Sequence, residues 1–227
     1  MSAAAAPTTP SVTAVGAEPG PLPPLQVQAE RLVSLGLHLP AELEADDLVA
    51  RARTLEDRTG ALLVLDRRIA PASALAPLLR LGALPGFVVE DMTDVDAFAP
   101  VDGIDVPDAP LYVVDGIDRG DDLRGWSPDE ADVEIAARGR TRLLLTEGLH
   151  WALQATGVVA PNHCLMTSGS RVRRADGRLD ARTPALWISG GTGRDGRERR
   201  GAPKIGWCWA GNRHTWLGIG SATGRRA

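Results

Sequence analysis

The feature that most constrains this chain is a change of period near Asn162. Before it, apolar residues recur at helical spacing. After it they alternate, through NHCLMTSGSRV, PALWIS, KIGWCW and RHTWLGIG, with an Asp176-Gly177 turn between the first two runs. A spacing of three to four residues places apolar groups on one side of a helix, whereas a period of two places them on one face of a strand. The chain is therefore expected to be α+β, with helices and short strands in its N-terminal part packed on a C-terminal antiparallel sheet of about four strands.

Residues 1–24 are Ala, Pro, Thr, Ser and Gly with few large apolar groups. They bury too little surface to offset the entropy of ordering and are expected to form a disordered tail. Residues 25–227 are expected to form a single α+β domain, acidic to about residue 160 and basic and Trp-rich after it. LQVQAERLVSLG places Leu25, Ala29, Leu32 and Val33 on one face, with Gly36 as the left-handed stop. Ala45, Leu48, Val49, Ala52 and Leu55 repeat the pattern. ALLVLD reads as a buried strand, PASALAPLLRLG as a short helix, and GFVVEDM and PLYVVDG as strands. Ser127 and Glu130 of SPDE form a capping box with Pro128 in the first turn, and Thr146 is expected to cap the next helix.

Charge is unevenly distributed. From Ala160 onward there are 13 Lys+Arg against 4 Asp+Glu, leaving 12 against 25 before it, within a formal net charge of -4. Such a split implies two parts attracting one another, with a nucleic-acid face as the alternative. No apolar run reaches the roughly 20 residues of a membrane helix, and MSAAAAPTTP lacks the pattern of a secretory signal. Two cysteines, Cys164 and Cys208, are too few for a disulfide framework. A cytoplasmic protein without membrane partners is expected.

The segments QAERLVSLG, SPDEA, NHC followed by GSR, PALWIS and APKIGWCWAGNRHTWLG resemble an actinobacterial family, domain of unknown function family 5701. The resemblance runs over most of the chain from Leu25, and the C-terminal stretch carries it. It implies no activity, cofactor or catalytic residue.

Several motifs fail on physical grounds. Gly191, Gly193 and Gly196 have GxGxxG spacing, but RERRGAP follows where an apolar helix must receive a pyrophosphate. DGIDRGDD from Asp115 has Ile117 and Arg119 where a calcium loop needs oxygen ligands. His163, Cys164, Cys208 and His214 are the residue types zinc prefers, but no close Cys pair exists, and neighbours in a strand point to opposite faces. No metal site and no cofactor are expected. Arg171, Arg173, Arg174 and Arg178 on one turn and Arg194, Arg197, Arg199 and Arg200 on a loop have the chemistry to grip phosphates, but Asp195 and Glu198 interleave and no nucleic-acid motif accompanies them.

Trp207, Cys208, Trp209, His214 and Trp216 remain. A hairpin with Gly211-Asn212 as its turn pairs Trp209 with His214 and Trp207 with Trp216, and places Cys208 on the opposite face. A three-residue turn instead pairs Cys208 with His214, which suits a thiol nucleophile and base. With the first register, Trp207 and Trp216 are expected in the core and Trp209 with His214 on an accessible rim. The expected function is a non-catalytic cytoplasmic binding or accessory role, with a small ligand or protein partner near Trp209, His214, Arg194 and Arg197. The alternatives are a cysteine/histidine enzyme using Cys208 and nucleic-acid binding through the arginine loops.

Overall fold

A computed structural model describes residues 18–39, 43–56 and 58–227. The expected tail lies mostly outside these residues. Its last part, Glu18 to Pro24, lies against the chain: Gly20 N–H donates to the Thr156 carbonyl at 2.7 Å, and Leu22 packs on a buried cluster.

Helices α1 (Leu25–Ser34) and α2 (Ala45–Thr54) form where the spacing places them, and Gly36 has φ 75° after the first. Strand β1 (Leu62–Leu65) has all four residues buried because both of its faces are covered. Leu63 and Leu65 join one core cluster with Leu25, Leu32, Leu149, Leu186 and Ile205. Leu62 and Val64 join a second with Tyr112, Val114 and Trp151. A strand buried on both sides reads as an unbroken apolar run. PASALAPLLRLG yields one turn of helix, α3 (Ala72–Leu75), and then a 3₁₀ turn, because Pro77 cannot continue the ladder.

Strands β2 (Phe87–Val88) and β3 (Leu111–Asp115) follow, then α4 (Pro128–Ala137) with the expected Ser127–Glu130 capping box. Helix α5 (Leu145–Gln154) begins one residue before the expected Thr146 cap. The Glu147 carboxylate accepts the Leu144 N–H at 2.8 Å and the Ser170 hydroxyl accepts the Leu145 N–H at 2.9 Å, so a carboxylate and a distant serine do the capping.

The C-terminal part departs from the expected antiparallel sheet. Strands β4 (Cys164–Met166), β5 (Arg182–Ile188), β6 (Pro203–Trp209) and β7 (Leu217–Ile219) all form, but the sheet is five-stranded and mixed, in the order β7-β4-β5-β6-β2. β5 pairs antiparallel with β4 and β6, while β7 runs parallel to β4 and β2 parallel to β6. A last strand, β8 (Gly224–Arg226), pairs with β3 and completes a second sheet, β1-β3-β8.

The Trp-rich hairpin is therefore absent. β6 and β7 run in the same direction with two strands between them, and parallel strands need a crossover, not a turn. Trp209 lies opposite Arg182 and Trp207 opposite Pro184; neither meets His214 or Trp216 in a ladder. Leu217 lies opposite Cys164, which lies opposite Trp187, which lies opposite Lys204. Residues 210–216 must thus travel back along the sheet from the level of Trp209 to that of Lys204. One face of this sheet, with Leu186 and Ile205, faces the core shared with β1. The other, with Cys164, Met166, Ala185, Leu217 and Ile219, packs on Leu123, Ala131 and Ile135 from the α4 region.

The charge asymmetry resolves into ion pairs within the chain. Arg171 meets Asp129, Arg173 meets Asp102, Arg182 meets Asp94, Arg194 meets Asp91, Arg213 meets Glu130, Arg225 meets Glu147 and Arg226 meets Asp115. Basic residues of the late sequence face acids of the early sequence. Among the described residues no helix is long and apolar enough to cross a membrane.

Candidate functional site

The crossover from β6 to β7 builds a cavity. Its volume is about 390 Å³, and its wall is Asn162, His163, Cys164, Trp187, Ile188, Trp207, Cys208, His214, Trp216 and Leu217. That volume is within the range of small-molecule sites, and five of the ten wall residues carry aromatic rings, although Trp207 turns its own toward the main core.

Each ring is positioned by a local cause. Trp187 shares a sheet face with Lys204 and Gly206, since residues paired across strands, and those two apart along one, point the same way. The indole reaches over Gly206, where a Cβ would lie only 2.5 Å from Trp187 Cη2, and Lys204 Nζ sits 4.9 Å from the ring centroid. Lys204 is itself paired with Asp195 at 2.7 Å, and Asp195 also accepts from the Ser189 hydroxyl at 2.7 Å. His214 and Trp216, on the crossover, stack with centroids 4.5 Å apart and planes 16° apart. The crossover is tied down by two backbone bonds to the α4 region, Gly125 N–H to His214 O at 3.1 Å and Asp129 N–H to Ala210 O at 3.0 Å, and by the Arg213–Glu130 pair. Trp207 packs partly on the main core and meets Trp209 edge to face at 4.6 Å.

The polar wall is unequal in reactivity. His163 is buried, and its Nε2 lies 2.6 Å from Asp121 Oδ1; Asp121 in turn holds the guanidinium of buried Arg119, which also donates to the Gly157 carbonyl at 2.7 Å. Gly218 permits the approach, since a Cβ there would lie 2.7 Å from His163 Nε2. Burial, with the Arg119 charge nearby, pushes the His163 pKa down to about 4, so the ring is neutral at pH 7 and donates from Nε2. Nδ1 is then an acceptor, buried and without a partner. Burial opposes ionisation of Asp121, but the bonded Arg119 and the adjacent His163 hold its pKa below the ordinary carboxylate value. Cys164 is buried and its thiol is pushed strongly up by burial, which makes it a small apolar group. Cys208 is half-buried, with Asn212 Nδ2 at 3.9 Å from Sγ.

The four residues singled out by metal chemistry, His163, Cys164, Cys208 and His214, thus all reach this cavity. They do not converge on a point: among the described residues no group of three or more His, Cys, Asp or Glu side chains is placed to hold a metal ion. Of the expected ligand residues, His214 lines the cavity, whereas Trp209, 46% exposed, does not and packs edge to face on Trp207. Trp216, expected in the core, is 49% exposed, because it belongs to the crossover and not to a ladder. Arg194 borders a different depression, with Val89, Glu90, Asp91, Thr192, Asp195, Arg199 and Lys204, and Arg197 sits on an exposed 3₁₀ turn. Sequence reasoning passed over Trp187 and Asn162. Trp187 does alternate with buried Ala185 in PALWIS, but only knowledge of which strand lies beside β5 tells what it faces.

A family model described as a family of unknown function, DUF5701, matches residues 31–227. The chain belongs to this family. No curated protein and no solved structure matches it.

Proposed function

We propose that the chain is a cytoplasmic binding protein, folded as one domain, that takes a small organic molecule into the cavity under the β6–β7 crossover. The observation that carries this reading is the convergence of Trp187, His214 and Trp216 on one cavity of about 390 Å³. Burying indoles is strongly favourable, and a chain that leaves Trp216 half exposed at a cavity mouth forgoes part of that gain unless something covers it. Two measurements on a fragment library test the reading together: thermal stabilisation of the protein and slowed labelling of Cys208 by a thiol reagent. A fragment at this site produces both effects. A library in which no member produces both refutes the proposal.

A second reading has one observation in its favour. Cys208, half-buried, shares the cavity with His214, so a thiol and a base have access to the same occupant. A nucleophilic Cys208 would label faster than a free thiol at pH 7, whereas a binding-wall cysteine labels more slowly.

A further inference from the structure

We infer that the occupant of this cavity is an uncharged, planar ring system of bicyclic size carrying no more than one or two hydrogen-bond donors. The inference rests on the binding reading above and names the ligand class.

Charge is excluded first. None of the ten wall residues is Lys, Arg, Asp or Glu, so an ion entering it would lose its hydration without gaining a counter-charge. Several aromatic rings around a cavity also suit a quaternary ammonium group. Here, however, Lys204 Nζ, held by Asp195, already takes the cation place 4.9 Å from the Trp187 ring centroid.

Sugars are excluded by counting partners. A buried saccharide needs a partner for most of its hydroxyls, and each one left unpaired weakens binding. The strands beneath the cavity spend their backbone groups in ladders. His163 commits Nε2 to Asp121 and its Nδ1 is covered, and thiols are poor partners. The side chains of Asn162 and His214 are left, together with the indole N–H groups, which only donate. Such a wall offers acceptors only at Asn162 and His214, so it satisfies one or two donating groups of a ligand, whereas every hydroxyl of a saccharide has a proton to donate.

Planarity follows from how the rings are held. The Trp187 indole is pressed over Gly206 with Lys204 against it, and His214 and Trp216 form a ready-made stack. Flat faces fixed before binding favour flat partners over saturated rings of equal size, because offset stacking adds to the area term.

Calorimetry at pH 7.5 with four probes tests this: 2-naphthol, its saturated counterpart decahydro-2-naphthol, 2-naphthoate and cellobiose. The expected order has 2-naphthol at least about tenfold tighter than each of the others. Trp187→Ala should weaken 2-naphthol by about tenfold, and Gly206→Val, which displaces the same indole without removing it, should do likewise. Unchanged circular dichroism in at least one variant shows that the loss is local. Equal or tighter binding of the saturated alcohol, naphthoate or cellobiose would overturn the ligand class while leaving the binding reading intact. Binding of 2-naphthol that survives both variants would place it elsewhere and overturn the inference. No binding by any probe, with no positive in the fragment library, would remove both.

Discussion

Among the described residues Arg225 makes the most deeply buried ion pair, and its removal should be the most damaging single change outside the apolar core. Its side chain is 2% exposed and that of Glu147 is 0% exposed. Arg225 donates Nε to Glu147 Oε1 at 2.5 Å, Nη2 to Oε2 at 2.7 Å, Nη1 to Thr141 Oγ1 at 3.0 Å and Nη2 to the Arg142 carbonyl at 2.8 Å. Glu147 accepts further bonds from the Tyr112 hydroxyl at 3.0 Å and the Leu144 N–H at 2.8 Å. Burial, the Glu147 charge and this bond together keep the Tyr112 phenol protonated, with its pKa far above the ordinary value. Arg225→Met leaves the carboxylate buried with two neutral donors and no counter-charge, and should cost about 3–5 kcal/mol in urea unfolding followed by circular dichroism. Adding Glu147→Leu removes the stranded charge but orphans the Tyr112 hydroxyl and the Leu144 N–H. The double variant should therefore recover part of the loss and remain about 1–3 kcal/mol below wild type. A single Arg225→Met variant within about 1 kcal/mol of wild type would refute the reasoning, as would a double variant less stable than the single.

His150 is fully buried, accepts the Leu65 N–H at Nε2 and bonds the Thr146 carbonyl through Nδ1; burial pushes its pKa down to about 4, against 6.5 for a free imidazole. The unfolded chain thus binds the extra proton between these values, so unfolding free energy should fall as pH drops from 6.5 toward 4, by roughly 2 kcal/mol from this residue at pH 5, and a flat profile would count against the buried neutral ring. Trp207→Ala should cost about 2–3 kcal/mol and Trp216→Ala under about 1.5 kcal/mol, since the first packs on the core and the second is half in water; thermal melts that reverse this order would contradict the crossover. Ser127→Ala should lose about 1 kcal/mol through the α4 cap, measurable by denaturant midpoint.

Local signals were legible in the sequence and long-range pairing was not. The helical spacing of α1 and α2, the capping box of α4 and the unbroken run of β1 each depend on neighbours within a few residues, and each is where it was expected. The hairpin failed because two alternating runs with a Gly-Asn between them have the same pattern whether they pair together or with other strands. What decides is that β4 has a free edge for Leu217, which no local pattern announces. The same ignorance hid Trp187 from the candidate site. Gln28 illustrates the limit within a correctly read helix: it lies among apolar positions, and its amide bonds the Ala61 carbonyl and the Leu63 N–H at 2.8 Å each, joining α1 to β1. Polar residues that stitch distant backbone look, in sequence, like surface ones.

The pairing of β3 with β8, and of β2 with β6, means that early and late halves of the chain each complete a sheet begun by the other. They are interleaved, not stacked side by side. Cutting the backbone in the loop between β5 and β6 would therefore yield two pieces, neither with a finished sheet, yet each carrying the missing edge of its counterpart. Such fragments recognise one another through templates that already exist. Co-expressed as separate polypeptides and brought together by their opposite charges, they should reassemble into the intact architecture, with the crossover cavity reconstituted only on reunion.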